Sequence, residues 1–250
     1  MISHGIGNNI SDLILFSQCP AKYFYKASLG IEHSNSTPDG ALTSAFLSSL
    51  HSYISDKYIS KAKDMFETMA TMSLVVSKDD TNVINKYRAM LDTAINRFSI
   101  YGSYTSISPY EYTLDINGTV YSGNIDAVLY PISSSKVDTN EVIVIDMSKR
   151  ATANDMLYSY RTNIAAYVCY NNMGKFTMYR YNPYNNDYNS IDVSYTKSLE
   201  AYEELCTIES VYRHVTENGL WYRSRGYWCS SCYAAGICDS VQLSGLHSID

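Results

Sequence analysis

The sequence has no apolar run of about 18 residues, the length a membrane-crossing helix needs, so no membrane span is expected. Its first residues, Met1 to Gly5, lack the charged segment leading into an apolar one that marks a secretory leader. The expected location is therefore intracellular and cytoplasmic. It would be the host cytoplasm if the AT-rich coding implied by 25 tyrosines and many Asn, Ile and Ser is viral. Surplus positive charge is missing too: 19 Lys and Arg against 25 Asp and Glu give a net charge of -6 and a pI near 5.3. That balance excludes nucleic-acid binding by bulk electrostatics and leaves any such role to a local basic patch. What is present is a globular composition, 250 residues of which 46% are hydrophobic, enough for a full core. In a reducing compartment the six cysteines read as metal ligands or core thiols rather than disulfides.

The chain reads best around Glu141 to Arg150, where Val142, Ile143, Val144 and Ile145 run abruptly into Asp146, Met147, Ser148, Lys149 and Arg150. Consecutive β-branched residues followed by an acid, a hydroxyl and two bases predict a strand buried on both faces that opens into a polar site. Side chains alternate along a strand, so Asp146 and Ser148 share one face and Met147 and Lys149 the other.

Upstream, Ser11 is a candidate N-cap for a short helix that Cys19-Pro20 interrupts, with a second helical turn over residues 21–26. Helices are expected from Ala41 through Ile54, over 61–74 and over 80–100, with Met65, Met69, Met72 and Met90 as packing residues. Ser44 and His51 fall two turns apart on one helical face. Strands follow: alternation on both sides of Asn117-Gly118 over 110–130 is a hairpin signal. Asp126 then lies in an apolar strand, where a carboxylate needs a cation or donors beside it. If the sheet is a simple meander, Asp126 and Asp146 lie on neighbouring strands and form a site for a divalent metal. Residues 153–171 read as a helix bearing Arg161 and Asn163, 176–181 as a strand, 182–189 as a loop and 191–195 as a strand. A helix over 197–218 ends at Gly219. Cys169 and Cys206 fall within helical patterns as core thiols. In the tail, Cys229, Cys232 and Cys238 form Cys-x2-Cys-x5-Cys, and Cys19, at its Pro-marked corner, is the best fourth ligand. Spacing alone leaves both an iron-sulfur centre and a structural zinc open.

These features, in this order, resemble the PD-(D/E)XK nucleases, and among them the iron-sulfur RecB-like branch that includes the AddB nuclease domain and the CRISPR adaptation nucleases. The matching pieces are Ser11, Leu13, Phe16, Cys19, Pro20, Lys22 and Tyr23; Gly123 to Asp126; Val144 to Asp146; Asn163 and Tyr167; and the three tail cysteines. They span nearly the whole chain. The resemblance implies an α/β fold with a restriction-endonuclease-like core, a central mixed sheet flanked by helices. It implies one domain over 1–250, with a helical subregion at 41–100, the core at 110–195, and a tail at 219–250 closing onto 11–26. It also implies a 4Fe-4S cluster on Cys19, Cys229, Cys232 and Cys238, and Mg or Mn on Asp126 and Asp146. Closing a loop of roughly 200 residues in this way would add several kcal/mol.

Three side chains depart from the pattern. Ser148 stands where the branch has a lysine two residues after the acid, and Lys149 comes one place late, so that only a β-bulge would return it to the metal's face. Ser44 stands at the position of the usual histidine, four residues after Gly40, and His51 is about 10 Å further along the helix axis, too far for a simple replacement. Asn163 replaces the usual Gln. Three readings follow. The first is a metal-dependent DNA nuclease, acting as a single-strand exonuclease, with Asp126 and Asp146 on the metal, Lys149 assisting and Asn163 and Tyr167 positioning the strand. The second is a catalytically impaired nuclease fold that binds nucleic acid or scaffolds a larger assembly, gripping single-stranded DNA with Lys22, Lys26, Lys149, Arg150, Arg161, Arg223 and Arg225 among tyrosines. The third is a zinc-stapled interaction module.

Overall fold

A computed structural model describes residues 8–30, 38–73, 80–132, 141–147 and 160–224, with 226, 229, 232, 234, 238, 247 and 248 of the tail. Ser148, Lys149, Arg150, Arg225 and the first residues of the helix expected from 153 lie outside the described residues. The chain divides into two compact units, one formed by Met1–His33, Tyr112–Gly123 and Thr196–Asp250, the other by Ser34–Glu111 and Asn124–Tyr195.

The second unit carries the central sheet. Helices α3 (Pro38–Asp56), α4 (Ile59–Ser73) and α5 (Asp80–Phe98) precede strands β1 (Tyr104–Ile107), β4 (Ala127–Pro131), β5 (Val142–Met147), β6 (Phe176–Asn182) and β7 (Asp187–Ile191), with α6 (Tyr160–Asn172) lying between β5 and β6 in sequence. The sheet order is β1-β4-β5-β6-β7, antiparallel except for the β5–β6 pair. A parallel pair needs a crossover, and the chain between β5 and β6, which contains α6, supplies it. All six residues of β5 are buried, as its unbroken apolar run foretells. The fold is thus mixed α/β with a five-stranded sheet.

Tyrosines fill much of this core and pair their hydroxyls inside it. Tyr87 and Tyr184 share Thr43 at 2.9 and 3.1 Å, and Tyr101 meets Tyr188 at 2.6 Å. Paired in this way, a buried hydroxyl avoids the cost of desolvation without a partner.

Three expectations are corrected here. The inward stripe of α4 is Ala62, Phe66 and Ala70, and Met72 is 82% exposed. Residues 65, 69 and 72 recur at helical spacing just as 62, 66 and 70 do, so the period does not choose the buried face; Met69 packs against the core and Met90 lies in it, as expected, and only the end of the methionine stripe turns to solvent. The strand expected at 191–195 is instead β7, which ends at Ile191, because residues 183–186 make a tight turn with Asn186 at φ 58. Residues 119–130 are not one strand, since the chain leaves the strand Thr119–Ile125 and enters β4 at Asp126.

The first unit holds α1 (Ile10–Gln18), α2 (Pro20–Leu29), most of the hairpin β2 (Tyr110–Ile116) and β3 (Thr119–Ile125), α7 (Tyr195–Asn218), and the short parallel pair β8 (Tyr222–Arg223) and β9 (His247–Ser248). The cap of α1 is Asn9, whose Oδ1 accepts from Ser11 N at 2.7 Å, two residues before the expected Ser11. Cys19 sits at the extended corner where α1 stops and Pro20 opens α2. Asn117 and Gly118 both have positive φ, the demand of a tight type I′ turn. Gly123 is required for a different reason: a Cβ there would stand 2.5 Å from the ring of Tyr112. Gly219, with φ 65, ends α7. Cys169 in the second unit is fully buried, whereas Cys206 on α7 is only half-buried, short of the core position expected of it.

Candidate functional site

The β4–β5 register pairs Ala127 with Ile145. Carried one step further, it sets Asp126 opposite Asp146, and residues opposite each other in an antiparallel pair share a face. Asp126 occupies a bend, and its own groups do the work a ladder would do. Its Oδ2 accepts the Met147 N–H at 2.7 Å and its carbonyl accepts the Ser108 hydroxyl at 2.6 Å. Both acids are buried, Asp126 at 9% and Asp146 at 5% exposure.

Three further side chains reach them. Arg161, on α6, brings Nη2 to 3.0 Å from Asp126 Oδ2 and Nε to 3.9 Å from Asp146 Oδ1. Thr162 donates its hydroxyl to Asp146 Oδ2 at 2.9 Å. His51 Nε2 lies 3.9 Å from Asp126 Oδ1, and its Nδ1 is 2.6 Å from Ser108 Oγ. The Ser108 proton is committed to the Asp126 carbonyl, so the hydrogen-bond network makes His51 Nδ1 the donor and leaves Nε2 with its lone pair toward the acid. Burial lowers the His51 pKa against the pull of Asp126, which keeps the ring neutral at pH 7. Burial likewise pushes Asp146 from its ordinary 3.8 up to about 7, opposed by Arg161, reinforced by Asp126 and offset in part by Thr162.

His51 corrects the sequence reading. Distance along the helix from Ser44 had set it aside, yet it is the C-terminal half of α3 that lies along β1. Ser55 donates to the Ser108 carbonyl at 2.9 Å and Lys57 to Ser106 Oγ at 2.9 Å, and the same approach delivers His51 to Asp126. Ser44 instead donates to its own Gly40 carbonyl. The sequence does carry the signal, a histidine on the same face as Ser44 two turns on, but helical spacing does not tell which of the two meets Asp126. On α6, Arg161 and Thr162 reach the acids, and Asn163 and Tyr167 follow as half-buried residues of the same helix. Arg161 therefore faces carboxylates rather than a strand-binding surface, and Lys26 is likewise paired, with Asp12 at 3.0 Å. Arg180, in register with Asp146 on β6, is a buried second arginine that the sequence reading did not single out.

In the other unit, Cys232 and Cys238 pack against the cluster of Cys19, Ala21, Tyr25 and Ala234, while Cys229 is exposed in the turn that Cys232 N–H closes on its carbonyl at 3.2 Å. Among the described residues no group of three or more His, Cys, Asp and Glu side chains is gathered tightly enough to hold a metal ion as it stands. At the acid pair, a guanidinium stands beside both carboxylates instead.

No family model matches the chain, and no curated protein matches it by sequence. The crystal structure of a protein described as a "Putative exonuclease" from Eubacterium rectale is similar at TM-score 0.54 and 12% identity, over 90% of this chain and 86% of that one. A crystal structure of SSO0001 covers 96% of this chain and 89% of its own at 12% identity, with a TM-score of 0.40, too low to carry an argument. The first likeness establishes a shared fold. Among the described residues no helix is long and apolar enough to cross a membrane.

Proposed function

We propose that the protein is a divalent-metal-dependent nuclease of RecB-like type that acts on single-stranded DNA, as an exonuclease, in DNA processing within the cytoplasm. The observation that carries this reading is the facing pair Asp126 and Asp146 with the His51 Nε2 lone pair directed at the first of them. Two carboxylates and an imidazole are hard and borderline donors that suit Mg or Mn. A cation held there would polarise the phosphodiester and acidify a water molecule.

The chain's own residues prepare the site. The Met147 N–H and Thr162 each fix one oxygen of an acid, which leaves Asp126 Oδ1 and Asp146 Oδ1 as ligand atoms. Ser108 holds the imidazole in the ligand tautomer. Lys149, Asn163 and Tyr167 orient the strand. The fold shared with a protein described as an exonuclease supports the same reading.

Cys19, Cys229, Cys232 and Cys238 hold a 4Fe-4S cluster in this reading, with zinc the alternative, and the packing of Cys232 and Cys238 on Cys19 supports a common centre. Further subunits of a larger assembly supply the basic surface that a chain of charge -6 lacks.

A second reading, a nuclease fold without catalysis that binds nucleic acid, is favoured by one observation: Arg161 already neutralises the acids, while Ser148 stands where the resembling family has lysine. Degradation of single-stranded DNA with Mn decides between them. Release of nucleotides by the wild type and none by Asp146→Ala supports the nuclease, and equal rates for the two reject it.

A further inference from the structure

We infer that Arg161 is a built-in counter-ion of the acid pair, which a divalent cation must displace and an incoming phosphodiester draws away, so that metal uptake is coupled to nucleic-acid binding. The inference rests on the metal-dependent reading above and names how that site is regulated. Three observations carry it.

First, the guanidinium contacts Asp126 Oδ2 at 3.0 Å and comes within 3.9 Å of Asp146 Oδ1, the oxygen that Thr162 leaves unengaged. A divalent ion reaching the same carboxylates would meet a like charge at close range, and like charges at contact distance disfavour each other strongly where water is excluded. Second, the arginine lies at the solvent side of the pair: its side chain is 45% exposed, against 12% and 7% for the two acids. Third, Arg161 and Thr162 are neighbours on α6, so the helix that brings the guanidinium to the acids also holds Asp146 through the Thr162 hydroxyl. Once a metal ion has taken the acids, the planar fork of donors matches a phosphodiester, which it can bind bidentately. Thr162 and the Met147 N–H hold the carboxylates meanwhile, so the exchange of one cation for another leaves the site's frame intact.

The test is Mn2+ binding to the full chain, read as loss of the free-ion electron paramagnetic resonance signal, for the wild type, Arg161→Gln and Arg161→Lys. Arg161→Gln should bind Mn2+ roughly tenfold or more tightly without nucleic acid, in the range typical of coupled sites. Arg161→Lys keeps the charge and should keep the weak uptake of the wild type. Oligothymidylate should tighten Mn2+ binding to the wild type by a similar factor and leave Arg161→Gln unchanged, and its uncharged methylphosphonate analogue should alter Mn2+ binding to neither protein. Equal Mn2+ affinity in wild type and Arg161→Gln would overturn the inference while leaving the metal site standing. Failure of all three proteins to bind Mn2+ at millimolar concentration would remove the metal-dependent reading and the inference with it.

Discussion

Asp146→Asn in the metal-free protein should abolish a specific pH dependence of folding. Asp146 is 5% exposed, and burial raises its carboxyl from 3.8 to about 7 despite the nearby guanidinium. Below pH 4 the group is protonated in both the folded and unfolded chains and contributes no slope. Between about 4 and 7 the folded protein keeps a proton that the unfolded chain has released, so stability falls as pH rises, and above 7 the loss is complete. A carboxyl held at about 7 in place of 3.8 corresponds to about 4 kcal/mol. Asparagine keeps the shape and can still accept from Thr162, but it does not titrate. Urea unfolding of both proteins in chelator, from pH 4.5 to 8, measures the difference. The stability of Asp146→Asn minus that of wild type should rise by about 3 kcal/mol across this range, whatever its offset from altered contacts. A difference that stays flat with pH would refute the burial argument.

Other consequences are open to direct measurement. Ser108→Ala removes the oxygen that fixes the His51 tautomer and should weaken Mn2+ binding about 10- to 100-fold with an unchanged far-ultraviolet circular dichroism spectrum. Cys19→Ser should abolish the absorbance near 400 nm of iron-reconstituted protein if the four cysteines share a cluster, and the band should survive if Cys19 is only a core thiol. Gly123→Ala puts a methyl group against the buried ring of Tyr112 and should cost about 1–3 kcal/mol in chemical denaturation, without touching Asp126 itself.

Local chemistry made much of this molecule legible in advance. The run Val142 to Ile145 specified a strand buried on both faces, and Asn117-Gly118 specified its turn, because each depends on a few adjacent residues. The neighbouring placement of Asp126 and Asp146 also followed from strand order. Long-range geometry was not legible. Where α3 lies along β1 decides that His51 rather than Ser44 meets Asp126, and no helical period encodes that contact. The exit of the chain from β3 at Asp126 was hidden as well, since Ile125, Ala127 and Val128 continue the apolar pattern through the bend. Arg161 was visible as a polar residue of a helix, but its partners lie in the bend before β4 and on β5, which no helical period encodes. Gly123 entered as part of a motif, and only the ring of Tyr112 beside it gives the glycine its reason.

Anomalous diffraction from crystals soaked in Mn2+, recorded near the manganese edge, tests the acid pair as a metal centre most directly. The expected result is one strong peak bounded by Asp126 Oδ1, Asp146 Oδ1 and His51 Nε2, with the Arg161 guanidinium turned away from both acids. A peak absent from that position, with the guanidinium still between the carboxylates at saturating Mn2+, would contradict it.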